Sequence, residues 1–218
     1  MTTTNVAGKL VKSTDRGVTW VDLGIPGTTS GVARIGVAPT TPNSTIYVPS
    51  SLGLYAFKDN ETSATLVLSG MPMRAVSVDP RDPLHVLAWN DTPTSGAAID
   101  AALFETNDGG KTWRYAADGL PTEHYPSPGD LPYPHITEVA FDPLDTSGRV
   151  YAVVEPATWP SNLQPEKIYR RIGSGTWQRL ATPPTADNHR DYGPVGLAVA
   201  RTVPSGQTRP TVICGGLQ

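Results

Sequence analysis

Apolar and polar residues alternate in short bursts along most of the chain, which predicts many short β-strands and no long helix. Leu10-Val11-Lys12 leads into a polar octet, Ser13 to Trp20, and Trp20-Val21-Asp22-Leu23 leads out of it. After a turn-rich linker, 24–30, residues 33–39 predict a strand with Ile35 and Val37 on one face, and 45–48 its partner. Residues 53–57 and 64–68 predict a hairpin around 58–62, and 73–80 with 85–89 the next pair. A second polar octet, Thr106 to Trp113, lies between strands at 103–105 and 113–115. Strand pairs at 136–143 and 149–154, at 167–170 and 176–180, and at 195–199 and 211–214 complete the chain.

These elements repeat. Leu10, Leu54, Leu103 and Ile168 correspond, as do the turn prolines Pro39, Pro80 and Pro143. A period of roughly 40 to 50 residues with four strands per unit is the pattern of a β-propeller. The wider last intervals locate an insertion within 116–166. With the strands of a blade lettered A to D from the innermost outward, the chain reads C-D, three A-B-C-D sets, then A-B. That is sixteen strands, or four blade-equivalents of all-β structure in one domain over residues 1–218. Three architectures compete: a closed four-bladed ring, a piece of a larger propeller, and half-rings that associate as a homodimer. The closed monomeric ring is favoured, because the leftover C-D and A-B pairs would complete one blade and remove two free edges.

The two octets share a pattern. Ser13-Thr14-Asp15-Arg16-Gly17-Val18-Thr19-Trp20 and Thr106-Asn107-Asp108-Gly109-Gly110-Lys111-Thr112-Trp113 both read Ser/Thr-x-Asp-x-Gly-x-Thr-Trp. In each, the Asp carboxylate can accept hydrogen bonds from the N–H groups of its own turn, glycine can take positive φ, and tryptophan can seal the hairpin. The pattern resembles the Asp-box, or bacterial neuraminidase repeat, of β-propeller proteins. The turn at 172–175 keeps glycines and Trp177 but lacks the Asp. Asp15 and Asp108 are read as structural, and no ladder of calcium ligands accompanies them.

Composition narrows the function. The 21 glycines and 22 prolines make up about a fifth of the chain, as suits short strands joined by turns. A net charge of −3 gives no basic field for nucleic acid, and no apolar run is long enough to span a bilayer. Cys214 is the one cysteine, so no disulfide framework or cysteine-based zinc site is expected, and no cofactor or metal is predicted. The first residues lack a secretory signal, so the chain as written is expected in the cytoplasm, or secreted with its leader removed.

Propeller wiring puts A–B and C–D turns on one face, the B–C and D–A connections on the other. The long connections are all of the second kind: 90–99, 120–135, 155–166 and 181–193. They carry or border Trp89, Tyr125, Tyr133 and Trp159, with Asp91 and Glu155 among the acids. Aromatic rings and carboxylates on one face suit a glycan, because sugars stack C–H faces on rings and hydrogen-bond to carboxylates. The competing reading is that prolines 121, 126, 128, 132 and 134 stiffen a packed loop that the aromatics anchor.

Asp91 and Glu155 stand at matching ends of the second strand in adjacent units. The spacing Ala-x-x-Asp in Ala88-Trp89-Asn90-Asp91 also resembles the catalytic-aspartate region of xyloglucanase-type glycoside hydrolases. That resemblance implies a general acid and a general base that invert the anomeric centre, although that family draws its two acids from two facing propellers. Arg34 and Arg74 lie on or near innermost strands and are candidate substrate contacts, and Arg34-Ile35 echoes the Arg-Ile-Pro of sialidases. Gly36 replaces that proline and no third arginine matches, which disfavours sialidase activity. The expected partner is an oligo- or polysaccharide. The alternative is a non-catalytic scaffold for a protein or an assembly, as in sortilin-like propellers.

Overall fold

The computed structural model describes residues 10–23, 34–61, 63–90, 103–120, 135–155, 167–180, 194–200, 202, 205 and 212–216. Within them the chain is all strand and turn, with no helix. Three four-stranded antiparallel sheets follow one another, each with its strands in sequence order. The first holds β3 (Gly36–Ala38), β4 (Thr45–Ser50), β5 (Gly53–Lys58) and β6 (Thr65–Ser69). The second holds β7 (Ala75–Val78), β8 (Val86–Trp89), β9 (Leu103–Thr106) and β10 (Arg114–Tyr115). The third holds β11 (His135–Phe141), β12 (Arg149–Glu155), β13 (Lys167–Ile172) and β14 (Gln178–Arg179). Two-stranded sheets flank them: β1 (Val11–Lys12) with β2 (Val21–Asp22), and β15 (Pro194–Val199) with β16 (Val212–Gly216). These are the C-D, three A-B-C-D and A-B sets expected from the repeat. The three full sheets are consistent with propeller blades. The flanking pairs remain separate sheets.

Alternation along each central strand divides its side chains between two interfaces. On β8, Val86 and Ala88 pack with Tyr47 and Leu54 of the first blade, while Leu87 and Trp89 pack with Ile136, Val139 and Val150 of the third. On β12, Val150, Ala152 and Val154 face the second blade, and Tyr151 and Val153 face Leu197 of β15. A strand covered on both faces reads as a continuous apolar run, which explains Val-Leu-Ala-Trp in β8 and Val-Tyr-Ala-Val-Val in β12. The innermost strands stand in succession, β3 beside β7, β7 beside β11, and β11 beside β15.

The two octets adopt the same turn. Ser13 Oγ and Thr106 Oγ1 donate to the Asp two residues on, at 2.9 and 2.7 Å, and accept from the N–H of Gly17 and Gly110 at 2.6 and 2.9 Å. The Asp Oδ1 then accepts the N–H of Thr19 or Thr112 at 2.8 or 2.9 Å, and Oδ2 accepts the threonine hydroxyl at 2.5 or 2.6 Å. These bonds, with the threonine hydroxyl foremost, hold Asp15 down to about 2 and Asp108 lower still. Arg16 takes a left-handed φ of 61° where the second octet has Gly109 at 72°.

The C-D hairpins of the second and third blades are each sealed by a tryptophan against the blade before. Trp113 packs against the buried cluster that includes Tyr47 and Leu54 of the first blade. Trp177 is buried and donates its indole N–H to the carbonyl of Ala116, just past the second blade, at 2.7 Å. Gly119 makes that approach feasible: a Cβ there would lie 2.4 Å from Thr176 Cγ2 and 2.6 Å from the Trp177 carbonyl oxygen, at a φ of +93°. Gly119→Ala is therefore expected to lower stability by about 2 kcal/mol or more, read as a shift in the urea midpoint.

The second and third blades also meet through a buried ionic network that the strand pattern did not predict. Glu105, on β9, takes Arg171 of β13 at 2.5 Å, Arg114 of β10 at 2.7 Å and His85 Nε2 at 2.6 Å. His85 Nδ1 lies 3.4 Å from Asp79, and the edge of its ring meets Phe141 of β11. The Arg171 guanidinium also lies over the Trp177 ring, 5.3 Å from its centre. Burial opposes the charged form of both groups. The Asp79 and Glu105 contacts nonetheless raise His85 to about 9, and the His85 and Arg171 contacts lower Glu105 to about 2.

Two details differ from expectation. The second strand of the first blade continues through Pro49 to Ser50, because Pro49 stands opposite Leu54 and the N–H it lacks leaves the flanking pairs intact. Ile35 and Val37 do share a face, but it is the open one, 45% and 54% exposed, whereas Gly36 and Ala38 are covered. A Cβ on Gly36 would touch Val76 and Val78, so the second blade lies on the opposite side from Ile35 and Val37.

Candidate functional site

Antiparallel order places the B–C and D–A connections of all three blades on one rim. The backbone register marks that rim. Arg74 N–H donates to the Trp89 carbonyl at 3.0 Å, Trp89 pairs with Ala75 and Leu103, and Arg34 bridges Ala75. On the third blade His135 pairs with Glu155. Arg34, Arg74, Trp89, His135 and Glu155 thus occupy strand ends on the same side, near the innermost strands, where connections 91–102, 121–134, 156–166 and 181–193 leave and enter.

The candidate residues divide in three. Asp91, Tyr125, Tyr133 and Trp159 lie outside the described residues, and of Glu155 only the backbone is described. Trp89 has a place other than the one expected of a sugar platform. Its ring is 1% exposed and lies in the core between the second and third blades, because the alternation that puts Leu87 inside puts Trp89 there too. A ring with both faces packed has none to offer a sugar.

Arg34 is at the rim, but it is engaged. Its guanidinium takes both carboxylate oxygens of Glu138, at 2.6 and 2.8 Å, and reaches toward the Val139 carbonyl. Glu138 is on β11, so this pair ties the start of the first sheet to the first strand of the third. Burial raises the Glu138 carboxyl above its ordinary range, against the pull of Arg34. Arg74, beside it, is exposed and has polar contacts of its own.

Sequence reasoning missed Glu138, although a signal was present: a lone acid in the middle of the strand His-Ile-Thr-Glu-Val-Ala-Phe. A register shift between Ile136 and Glu138 re-aims this part of the strand, as bulges do. The rim therefore carries a guanidinium–carboxylate pair beside the innermost strands.

No family model matches the chain, and no curated protein matches it. Among the solved structures that match is an ancestral GH74 enzyme, 17% identical, with a TM-score of 0.44, covering 78% of this chain. The match covers 28% of that structure, so this chain spans little more than a quarter of its length.

Proposed function

We propose that the chain is a glycosidase-like Asp-box propeller that binds an oligo- or polysaccharide on its loop-rich rim. The observation that carries this reading is the shared rim itself: the strand ends from which all the long connections leave lie on one side, beside the Arg34–Glu138 pair, and the sequence of those connections supplies tyrosines, Trp159 and acids. The two matching Asp-centred turns support the Asp-box part, since they stabilise hairpins at the opposite end and leave this rim free for a ligand. Closure of the ring, with β15, β16, β1 and β2 forming the fourth blade, is part of the same reading.

If the rim is catalytic, Asp91 and Glu155 are the pair to carry it. One would protonate the leaving oxygen while the other activates water on the far side of the sugar, which needs about 6.5–9.5 Å between carboxyl groups. Tyr125, Tyr133 and Trp159 remain the stacking candidates. The rival reading, a non-catalytic scaffold, is favoured by one observation: Val18, Trp20 and Val21 of the first hairpin are exposed.

A glycan array on the purified protein separates the two. Binding to β-glucan or related oligosaccharides, weakened about five-fold or more by Trp159→Ala, is the expected result. Absence of binding at millimolar oligosaccharide would leave the scaffold. Asp91→Asn and Glu155→Gln should each abolish any hydrolysis while leaving binding and thermal stability nearly unchanged.

A further inference from the structure

The three tryptophans that end C-D hairpins do not share one environment. Trp113 and Trp177 pack on the blade before them, whereas Trp20 is 60% exposed and turns its indole N–H onto its own Gly17 carbonyl at 3.1 Å. The closing backbone bonds of the three hairpins match. Leu23 N–H closes on the Leu10 carbonyl at 2.8 Å as Ala116 closes on Leu103 at 3.0 Å and Leu180 on Ile168 at 2.8 Å. Val11 and Val21 flank Trp20 and are exposed with it, and Ile35, just before β3, and Val37 of β3 are open where a preceding innermost strand would stand. At the other end β15 and β16 form an A-B pair without C or D.

The register of the complete blades fixes how the halves fit. Ala88 pairs with Phe104 and Ala152 with Tyr169. By its place after Leu10, Val11 is the equivalent of Phe104 and Tyr169. Val199 pairs with Val212 as Phe141 pairs with Val150, which makes Cys214 the equivalent of Ala152. Cys214 therefore falls opposite Val11. The source of the second half is argued from Arg34 and Glu138: a bidentate contact draws blades one and three together, which favours a single further blade, from the same chain, over several.

We propose that β1 pairs with β16 of the same chain, Val11 opposite Cys214, and that Trp20 then docks on the third blade with its N–H on the Leu180 carbonyl, as Trp177 does on Ala116. This rests on the closed-ring reading and is independent of whether the rim binds a sugar.

The test uses the native cysteine. Directly opposed residues of antiparallel strands have Cα atoms about 4.5–5.5 Å apart, inside the range a disulfide spans. Val11→Cys in the full chain, under mild oxidation, should lose both free thiols, run as a monomer on a non-reducing gel, and melt at a higher temperature than its reduced form. Lys12→Cys, one position on and facing the other way, should keep its thiols free. A covalent dimer of Val11→Cys would overturn the proposal in favour of a second copy as partner. Free thiols in both variants would overturn the pairing altogether. Trp20→Ala gives a second readout: a melting temperature lowered as far as by Trp177→Ala supports docking, and an unchanged one contradicts it. Oligosaccharide binding tested on the same variants reports on the rim separately.

Discussion

Glu105→Ala is expected to destabilise the protein by about 3–5 kcal/mol, the usual cost of removing one partner from a buried charge network. Glu105 is 2% exposed and meets three cationic side chains from two blades. Its removal leaves the Arg171 guanidinium, whose side chain is 3% exposed, without a counter-charge. The contact of that guanidinium with Trp177, roughly 1–2 kcal/mol at a desolvated site, offsets only part of the cost. Arg114 is half-exposed and turns to water, so Arg114→Ala should cost far less, about 1 kcal/mol or under. Urea denaturation of the two variants gives the comparison. Equal losses would mean that Glu105 acts through β10 within its own blade rather than as the joint to the third.

Much of this fold was legible in the sequence. Period-2 alternation gave the strands, and the recurrence of Leu10, Leu54, Leu103 and Ile168 gave their grouping into four. The Asp-centred turns were readable because their chemistry is local: Asp15 and Asp108 bond residues no more than four positions away. The joint between blades was not readable. Glu105 and Arg171 are 66 residues apart, and Arg34 and Glu138 are 104 apart. Nothing in a local window distinguishes an acid aimed at solvent from one aimed at a neighbouring sheet. Trp89 misled for a related reason. Its place beside Asn90 and Asp91 at a strand end suggests a rim residue, but the alternation of β8 continues to that end and carries the ring inside.

The same network should give the stability a broad plateau with an edge at each end of the pH range. His85 has its charged form opposed by burial, yet the hydrogen bonds and charges of Asp79 and Glu105 raise it from the ordinary 6.5 to about 9. A raised folded-state pKa means that its stabilisation is complete below about 6.5, declines as pH rises, and is gone above about 9. Glu105, lowered from 4.5 to about 2 by His85 and Arg171 against the effect of burial, works in the opposite sense. Its contribution is complete above about 4.5 and is lost as pH falls toward 2. Asp79 is lowered too, despite burial, by His85 and the Arg81 N–H, and adds to the acid edge. Glu138, raised by burial, favours the folded state in acid and softens that edge. At about 1.4 kcal/mol per pKa unit, the alkaline loss is about 3 kcal/mol. It is shared by one coupled cluster and is not added to the acid loss. Melting temperatures across this range, at constant ionic strength, should fall between pH 7 and 9.5 in the wild type. His85→Gln should start lower at pH 7 and stay flat over that interval. A wild type that melts at one temperature from pH 7 to 9.5 would show that His85 is neutral in the folded protein, and that the joint is held by Arg171 and Glu105 alone.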